Sequence, residues 1–199
     1  LQSWAEVVGT ARLRWILLAT MAWCMGHFVV TGYITSALRE GIHAPPVVQA
    51  GLMTLMGVSG LVGNVVMSRR VAILGADRGA RISLSLVWGG LALWIAALSG
   101  LQTTWAVALA IMVWGSGNFA FTSAQQVRLA QSAPPLASAS IALNSSSLYA
   151  GQAMGAALGG TLVVAWGYGA LGPMALLIMS GAFACGLMAD RLKTPRRLP

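Results

Sequence analysis

Four stretches without a charged side chain dominate this sequence: Trp15–Leu38, Ala44–Ser68, Ile82–Val127 and Leu129–Ala189. A helix needs about 20 mostly apolar residues to cross a bilayer. The first two stretches hold one crossing each. The third is long enough for two and is interrupted by Ser99-Gly100-Leu101-Gln102-Thr103-Thr104. The fourth opens with Gln131-Ser132-Ala133-Pro134-Pro135 and is interrupted again at Gly167-Tyr168-Gly169-Ala170-Leu171-Gly172-Pro173. Turn-forming residues at these points divide the chain into six spans, about 15–38, 46–67, 82–99, 105–125, 137–165 and 173–189. Pro46 and Pro173 stand at or near helix starts, where a missing N–H does least harm.

Composition excludes the other classes. Only 8% of residues are charged, against roughly 25% in a soluble domain, so the chain cannot clothe itself in water. The same apolar excess excludes disorder. Cys24 and Cys185 both sit inside apolar runs and make no disulfide framework. The net charge of +8 is spread between apolar stretches, without the basic, aromatic face of a nucleic-acid binder. The expected fold is all-α: a polytopic membrane protein with the lipid bilayer as its first partner.

Cytoplasmic loops carry an excess of Lys and Arg. Arg12 and Arg14 precede span 1. Arg69, Arg70, Arg78 and Arg81, with Asp77, lie between spans 2 and 3, and Arg128 lies between spans 4 and 5. Arg191, Lys193, Arg196 and Arg197 follow span 6. The intervening segments hold only Arg39, offset by Glu40. The expected arrangement is a cytoplasmic linker at 1–14, a six-helix domain at 15–189 and a basic cytoplasmic tail at 190–199. The first residue is Leu1, and the opening residues lack the pattern of a signal peptide. The chain therefore reads as part of a longer protein, or as a half that follows a cytoplasmic linker.

An internal repeat runs through the spans. Met21-Ala22-Trp23-Cys24-Met25-Gly26-His27-Phe28-Val29-Val30-Thr31 aligns with Met112-Val113-Trp114-Gly115-Ser116-Gly117-Asn118-Phe119-Ala120-Phe121-Thr122, placing His27 opposite Asn118. Ala44-Pro45-Pro46 recurs as Ala133-Pro134-Pro135. Three spans per copy, about 15–99 and 105–189, make the copies enter the membrane from opposite sides, as inverted repeats of secondary transporters do.

The polar residues within the spans fall on faces. His27 lies about 18 Å along span 1. It shares a face with Thr20, Cys24, Thr31 and Thr35, while Trp114, Asn118, Thr122 and Gln125 share one on span 4. Intramembrane polar groups line wet cavities or bond neighbouring helices, and both readings stand for His27 and Asn118. On span 5, Ser147, Gly151, Gly155 and Gly159 form a small-residue ridge suited to close helix packing. Ser145, Tyr149 and Gln152 form a polar face beside it, a substrate path or a set of helix contacts. Asn64 reads as a packing residue. Trp88 and Trp94 have no polar company on span 3 and read as packing or lipid-facing. Trp4, Trp105 and Trp166 lie near span ends, as interfacial aromatics do.

Enzyme chemistry finds little support. Gly57-Val58-Ser59-Gly60 matches a serine motif of intramembrane proteases, but no histidine follows Ser59 to activate it. There is no cluster with metal-ligand spacing, and no phosphate-binding glycine loop. No metal, cofactor or catalytic residue is expected.

Gly26-His27-Phe28 with Thr31 and Tyr33-Ile34 resembles the seventh helix of arabinose-efflux-permease-like transporters, in the drug/proton antiporter branch of the major facilitator superfamily. Asn144-Ser145-Ser146 with Tyr149-Ala150-Gly151-Gln152, Gly155-Ala156-Ala157-Leu158-Gly159-Gly160 and Gly167-Tyr168 resembles their eleventh helix and the turn after it. Gln126-Val127-Arg128-Leu129 with Ala133-Pro134 resembles the loop before it. The chain departs from the family at Thr35-Ser36-Ala37, where a proline is usual. It departs again at Asp77-Arg78-Gly79-Ala80-Arg81, whose spacing differs from the Asp-Arg-x-Gly-Arg signature. The resemblance implies the C-terminal six-helix half of a bacterial inner-membrane efflux permease with both ends of this segment cytoplasmic. Its partners would be the N-terminal six-helix half, a small-molecule substrate and protons. It places helices 7, 8, 10 and 11 at the cavity, so the substrate-path candidates are His27, Thr31, Trp114, Asn118, Thr122, Ser145, Tyr149 and Gln152. No Asp or Glu lies within a span, so a proton carrier is either in the other half or is His27. A non-transporting assembly or signalling subunit is the alternative, and an intramembrane enzyme a distant third.

Overall fold

A computed structural model describes residues 2–192; Lys193, Arg196 and Arg197 of the expected basic tail lie outside the described residues. The described chain is all-α: α1 (Gln2–Gly9), α2 (Ala11–Thr31), α3 (Ile34–Ile42), α4 (Pro46–Leu74), α5 (Ala76–Ala96), α6 (Thr104–Ser132), α7 (Ala137–Trp166) and α8 (Leu171–Arg191). Six of these, α2 and α4 to α8, are long and apolar enough to cross a membrane. The chain is a membrane-embedded helical protein. Its outward side chains agree with an apolar solvent: Leu61 and Val62 on α4 are 62% and 56% exposed. In lipid such residues need no cover.

Helix ends follow local chemistry. Pro46 opens α4 at a position that needs no N–H. The Thr103 hydroxyl accepts from the Ala106 N–H at the start of α6. A single glycine, Gly75 at φ +80°, reverses the chain between α4 and α5, a conformation that a side chain would strain. α5 ends in a π-turn, Ala97–Leu101, closed by Gln102 at φ +44°.

Three expectations change. The first span is not one helix over 15–38: it breaks at Gly32-Tyr33, between α2 and α3. The Thr31 hydroxyl donates to the His27 carbonyl at 2.9 Å, a back-bond that bends helices, and Gly32 adds little to hold the helix straight. Within the segment expected as a linker, residues 2–9 and 11–14 are helical, with Val7 and Leu13 fully buried. The arginine-rich segment 69–81 is not a loop: Arg69 and Arg70 extend α4, while Asp77, Arg78 and Arg81 begin α5.

Packing follows a two-fold pattern. α2 packs chiefly on α7 and α8, and α6 chiefly on α4 and α5. Glycines set both closest approaches. A Cβ on Gly26 would lie 3.1 Å from the Ala175 carbonyl, and one on Gly117 would overlap the Ser83 carbonyl. A Cβ on Gly155 would overlap the Met25 carbonyl, and one on Gly63 the Ser116 carbonyl. These contacts interchange between the repeats: the α2 and α6 residues follow the shift that aligns His27 with Asn118, and their partners follow it to within one residue.

One end of the bundle is tied by ions. Arg128 is 2% exposed. Its Nε donates to Asp77 Oδ1 at 2.8 Å, its Nη2 to Asp190 Oδ1 at 2.7 Å and its Nη1 to Gln125 Oε1 at 2.9 Å. Arg12 adds a second bond to Asp77 at 2.9 Å and one to Ser132 at 3.0 Å, and Arg81 pairs with Asp190. The network joins α2, α5, α6 and α8. Expected as a loop residue, Arg128 is a buried helical one.

Candidate functional site

The repeat's two central polar residues meet. Asn118 Nδ2 on α6 lies 3.5 Å from His27 Nε2 on α2. Both are 92% buried, at 8% exposure. Rings enclose the imidazole: Trp23 stacks at 6.0 Å and 15°, while Phe28 and Trp114 stand edge-on at 5.2 and 5.3 Å. His27 Nδ1 and Asn118 Oδ1 have no hydrogen-bond partner.

The pair borders a cavity of about 490 Å³ between α2, α4, α6 and α7. Of the expected path residues, His27, Asn118, Thr122, Ser145, Tyr149 and Gln152 line it. Thr31 and Trp114 do not. Thr31 is turned to its own backbone. Trp114 is fully buried against Trp94 and supports the imidazole from behind. Gln125 and Thr20, on the expected faces, do not line the cavity either: the amide of Gln125 donates to the Thr20 hydroxyl at 3.0 Å and to the Ile16 carbonyl at 3.1 Å, clamping α6 to α2.

Several lining residues were not among the substrate-path candidates. Trp23, Cys24 and Phe28 come from α2, and Phe119 and Ser123 from α6. Asn64 both packs and lines, accepting from the Ser123 hydroxyl at 2.7 Å while bordering the cavity. The aligned repeat held the missing signal for Phe28 and Phe119, which occupy matching positions beside His27 and Asn118. Trp88, expected without polar company, donates to the Ser180 hydroxyl at 3.0 Å.

The span-5 ridge lies on α7 against α2. Gly151, Gly155 and Gly159 are buried there, facing Met21, Met25 and Val29 with Tyr33. Ser147 is half-buried and donates to the Leu143 carbonyl. Tyr33, beside the α2–α3 break, donates its hydroxyl to the Ala156 carbonyl at 2.9 Å, across the same interface. Among the described residues, no group of His, Cys, Asp and Glu has the arrangement of a metal site.

The chain is 26% identical over 178 residues, 88% of its length, to the "Inner membrane transport protein YdhP" of Escherichia coli K12. It is equally similar to the protein of that name from Escherichia coli O157:H7. It spans 44% of each relative's length. No family model matches. Both relatives carry the name of an inner membrane transport protein, and this chain's own six long apolar helices are of a length to cross a membrane.

Proposed function

We propose that these six helices form one half of a major facilitator-type transporter that moves a small solute by alternating access. The observation that carries this reading is the cavity between α2, α4, α6 and α7, bordered at its centre by the repeat-related pair His27 and Asn118. Sites at the meeting of inverted repeats near the bilayer midplane are how such transporters bind their cargo. The glycine contacts that interchange between the repeats support the same architecture.

A second six-helix unit would cover the open side of the cavity, where Tyr149 is 73% exposed. The arginine distribution favours a cytoplasmic location for the Arg128 end, in a bacterial inner membrane. Efflux by proton antiport is the finer form of the proposal. It draws on the family resemblance of α2 and α7 and on the transport proteins to which the chain is similar.

The test is transport by the full-length protein in proteoliposomes. A preloaded solute should leave faster when an inward proton gradient is imposed, with matching proton entry reported by an internal pH dye. Solute flux without proton movement would remove the antiport. No flux of any solute in a broad metabolite and drug panel would remove the transporter.

A further inference from the structure

The cavity wall is uncharged. Among the described residues, no Asp, Glu, Lys or Arg lines it, and its polar groups are amides, hydroxyls, one imidazole, the Trp23 indole and the Cys24 thiol. The nearest cation along α6 is Arg128, five residues beyond Ser123 and so about 7.5 Å away along the helix axis. Its guanidinium is already committed to Asp77, Asp190 and Gln125. A charged group docked on this wall would lose its water and gain no counter-ion, which is costly in a low-dielectric site.

The polar groups are instead a mixture of donors and acceptors. Ser123 and Ser145 spend their protons on Asn64 Oδ1 and the Ile141 carbonyl. They therefore offer lone pairs, while the Asn64 amide keeps its N–H groups. Asn118 Oδ1 and His27 Nδ1 are unpartnered on residues that are 92% buried. Flat apolar faces accompany these edges: Phe119 and Tyr149 border the cavity at 48% and 73% exposure. Aromatic walls also suit organic cations, but here no carboxylate joins them.

We propose that this half of the transporter recognises an uncharged part of its solute, a flat ring with a hydrogen-bonding edge. The ring lies against Phe119 and Tyr149, and the edge meets Asn118 and its neighbours. This inference rests on the transport reading above for its setting, but its test is one of binding.

Three probes share one ring and differ in charge: nicotinamide is neutral, nicotinate anionic and 1-methylnicotinamide, methylated on the ring nitrogen, cationic. Each is titrated against the full-length protein in detergent, with the melting temperature as readout. Nicotinamide should raise it, and the two ions should not. Ser145→Asp places a carboxylate on the wall, at a position exposed in this half. That variant should gain the cationic probe and bind it about tenfold more tightly than the parent does, a change of ~1.4 kcal/mol. Stabilisation of the parent by either ion in preference to nicotinamide, or by none of the three, overturns the proposal. So does a Ser145→Asp variant that folds with unaltered preference. Nicotinamide binding without flux of any solute would overturn the transport reading and leave this one standing.

Discussion

Asn118 and His27, 91 residues apart in the chain, face each other 3.5 Å apart across the α2–α6 contact. A residue and its repeat-mate can touch only near the axis that relates the two copies. The pair therefore marks that axis. The equivalent glycine contacts, Gly155 on Met25 and Gly63 on Ser116, fall two residues before each member of the pair.

The glycine contacts yield a paired stability prediction. A methyl group on Gly155 would meet the backbone of Met25, which cannot step aside. Gly181 on α8 has nothing within 4 Å of the same position. Gly155→Ala should lower the melting temperature in detergent, at a cost of about 1–3 kcal/mol as in other overpacked interiors, and Gly155→Leu should lower folded yield further. Gly181→Ala should be neutral or stabilising by up to about 1 kcal/mol. Equal melting temperatures for the two alanine variants would count against the tight α2–α7 interface.

The ion network makes a different kind of prediction. Arg128→Ala would leave Asp77 and Asp190 without the cation that lies between them. Leaving a buried charge wholly unpaired costs about 3–5 kcal/mol; Arg12 and Arg81 still pair with the two carboxylates, so the loss here should be smaller. Arg128→Lys keeps the charge but loses the planar fork that reaches both carboxylates and Gln125, so it should fall between the parent and alanine. Thermal unfolding of the three proteins measures the order. A lysine variant as stable as the parent would show that charge alone, not the fork, holds α2, α5, α6 and α8 together.

What was readable in advance, and what was not, follows from range. The six spans were legible because the bilayer demands about 20 apolar residues in a row, and that demand is local. The small-residue spacing of Gly151, Gly155 and Gly159 was legible for the same reason. The break after Thr31 was not, because it depends on one side chain turning back to the His27 carbonyl. The Arg128 network was hidden further still. Asp77 and Asp190 lie 51 and 62 residues from Arg128, and only the shared height of three helix ends brings them together. Trp114 shares a helical face with Asn118, yet the imidazole and Trp94 cover it. Periodicity names a face but not what packs upon it.

Topology has a direct check. Arg12, Asp77, Arg128 and Asp190 share one end of the bundle. Gln102 lies at the other, near Gly41 and Tyr168. From the arginine distribution we expect the first end to be cytoplasmic. Reporter fusions at Arg78 should therefore be active in the cytoplasm, and fusions at Gln102 in the periplasm. Activity on the same side for both would reject the six-span arrangement, and exchanged sides would invert it.

The central pair separates a transport role from a packing role. Asn118 Oδ1 and His27 Nδ1 bond nothing in the wall, so removing them releases few protein–protein hydrogen bonds. The one contact between them is long, at 3.5 Å, and interhelical bonds in membranes are worth roughly 1–2 kcal/mol at most. Asn118→Ala should therefore leave melting within about 1 kcal/mol of the parent while lowering solute export at least severalfold. His27→Ala should cost more stability, because the ring it removes packs between Trp23, Phe28 and Trp114, and truncating a buried ring leaves a void. His27→Phe refills that void without restoring a ring nitrogen. It should recover stability and not export. Export by His27→Phe at the parent's rate, measured in the full-length protein, would reduce His27 to a packing ring and leave Asn118 as the only member of the pair that meets the solute.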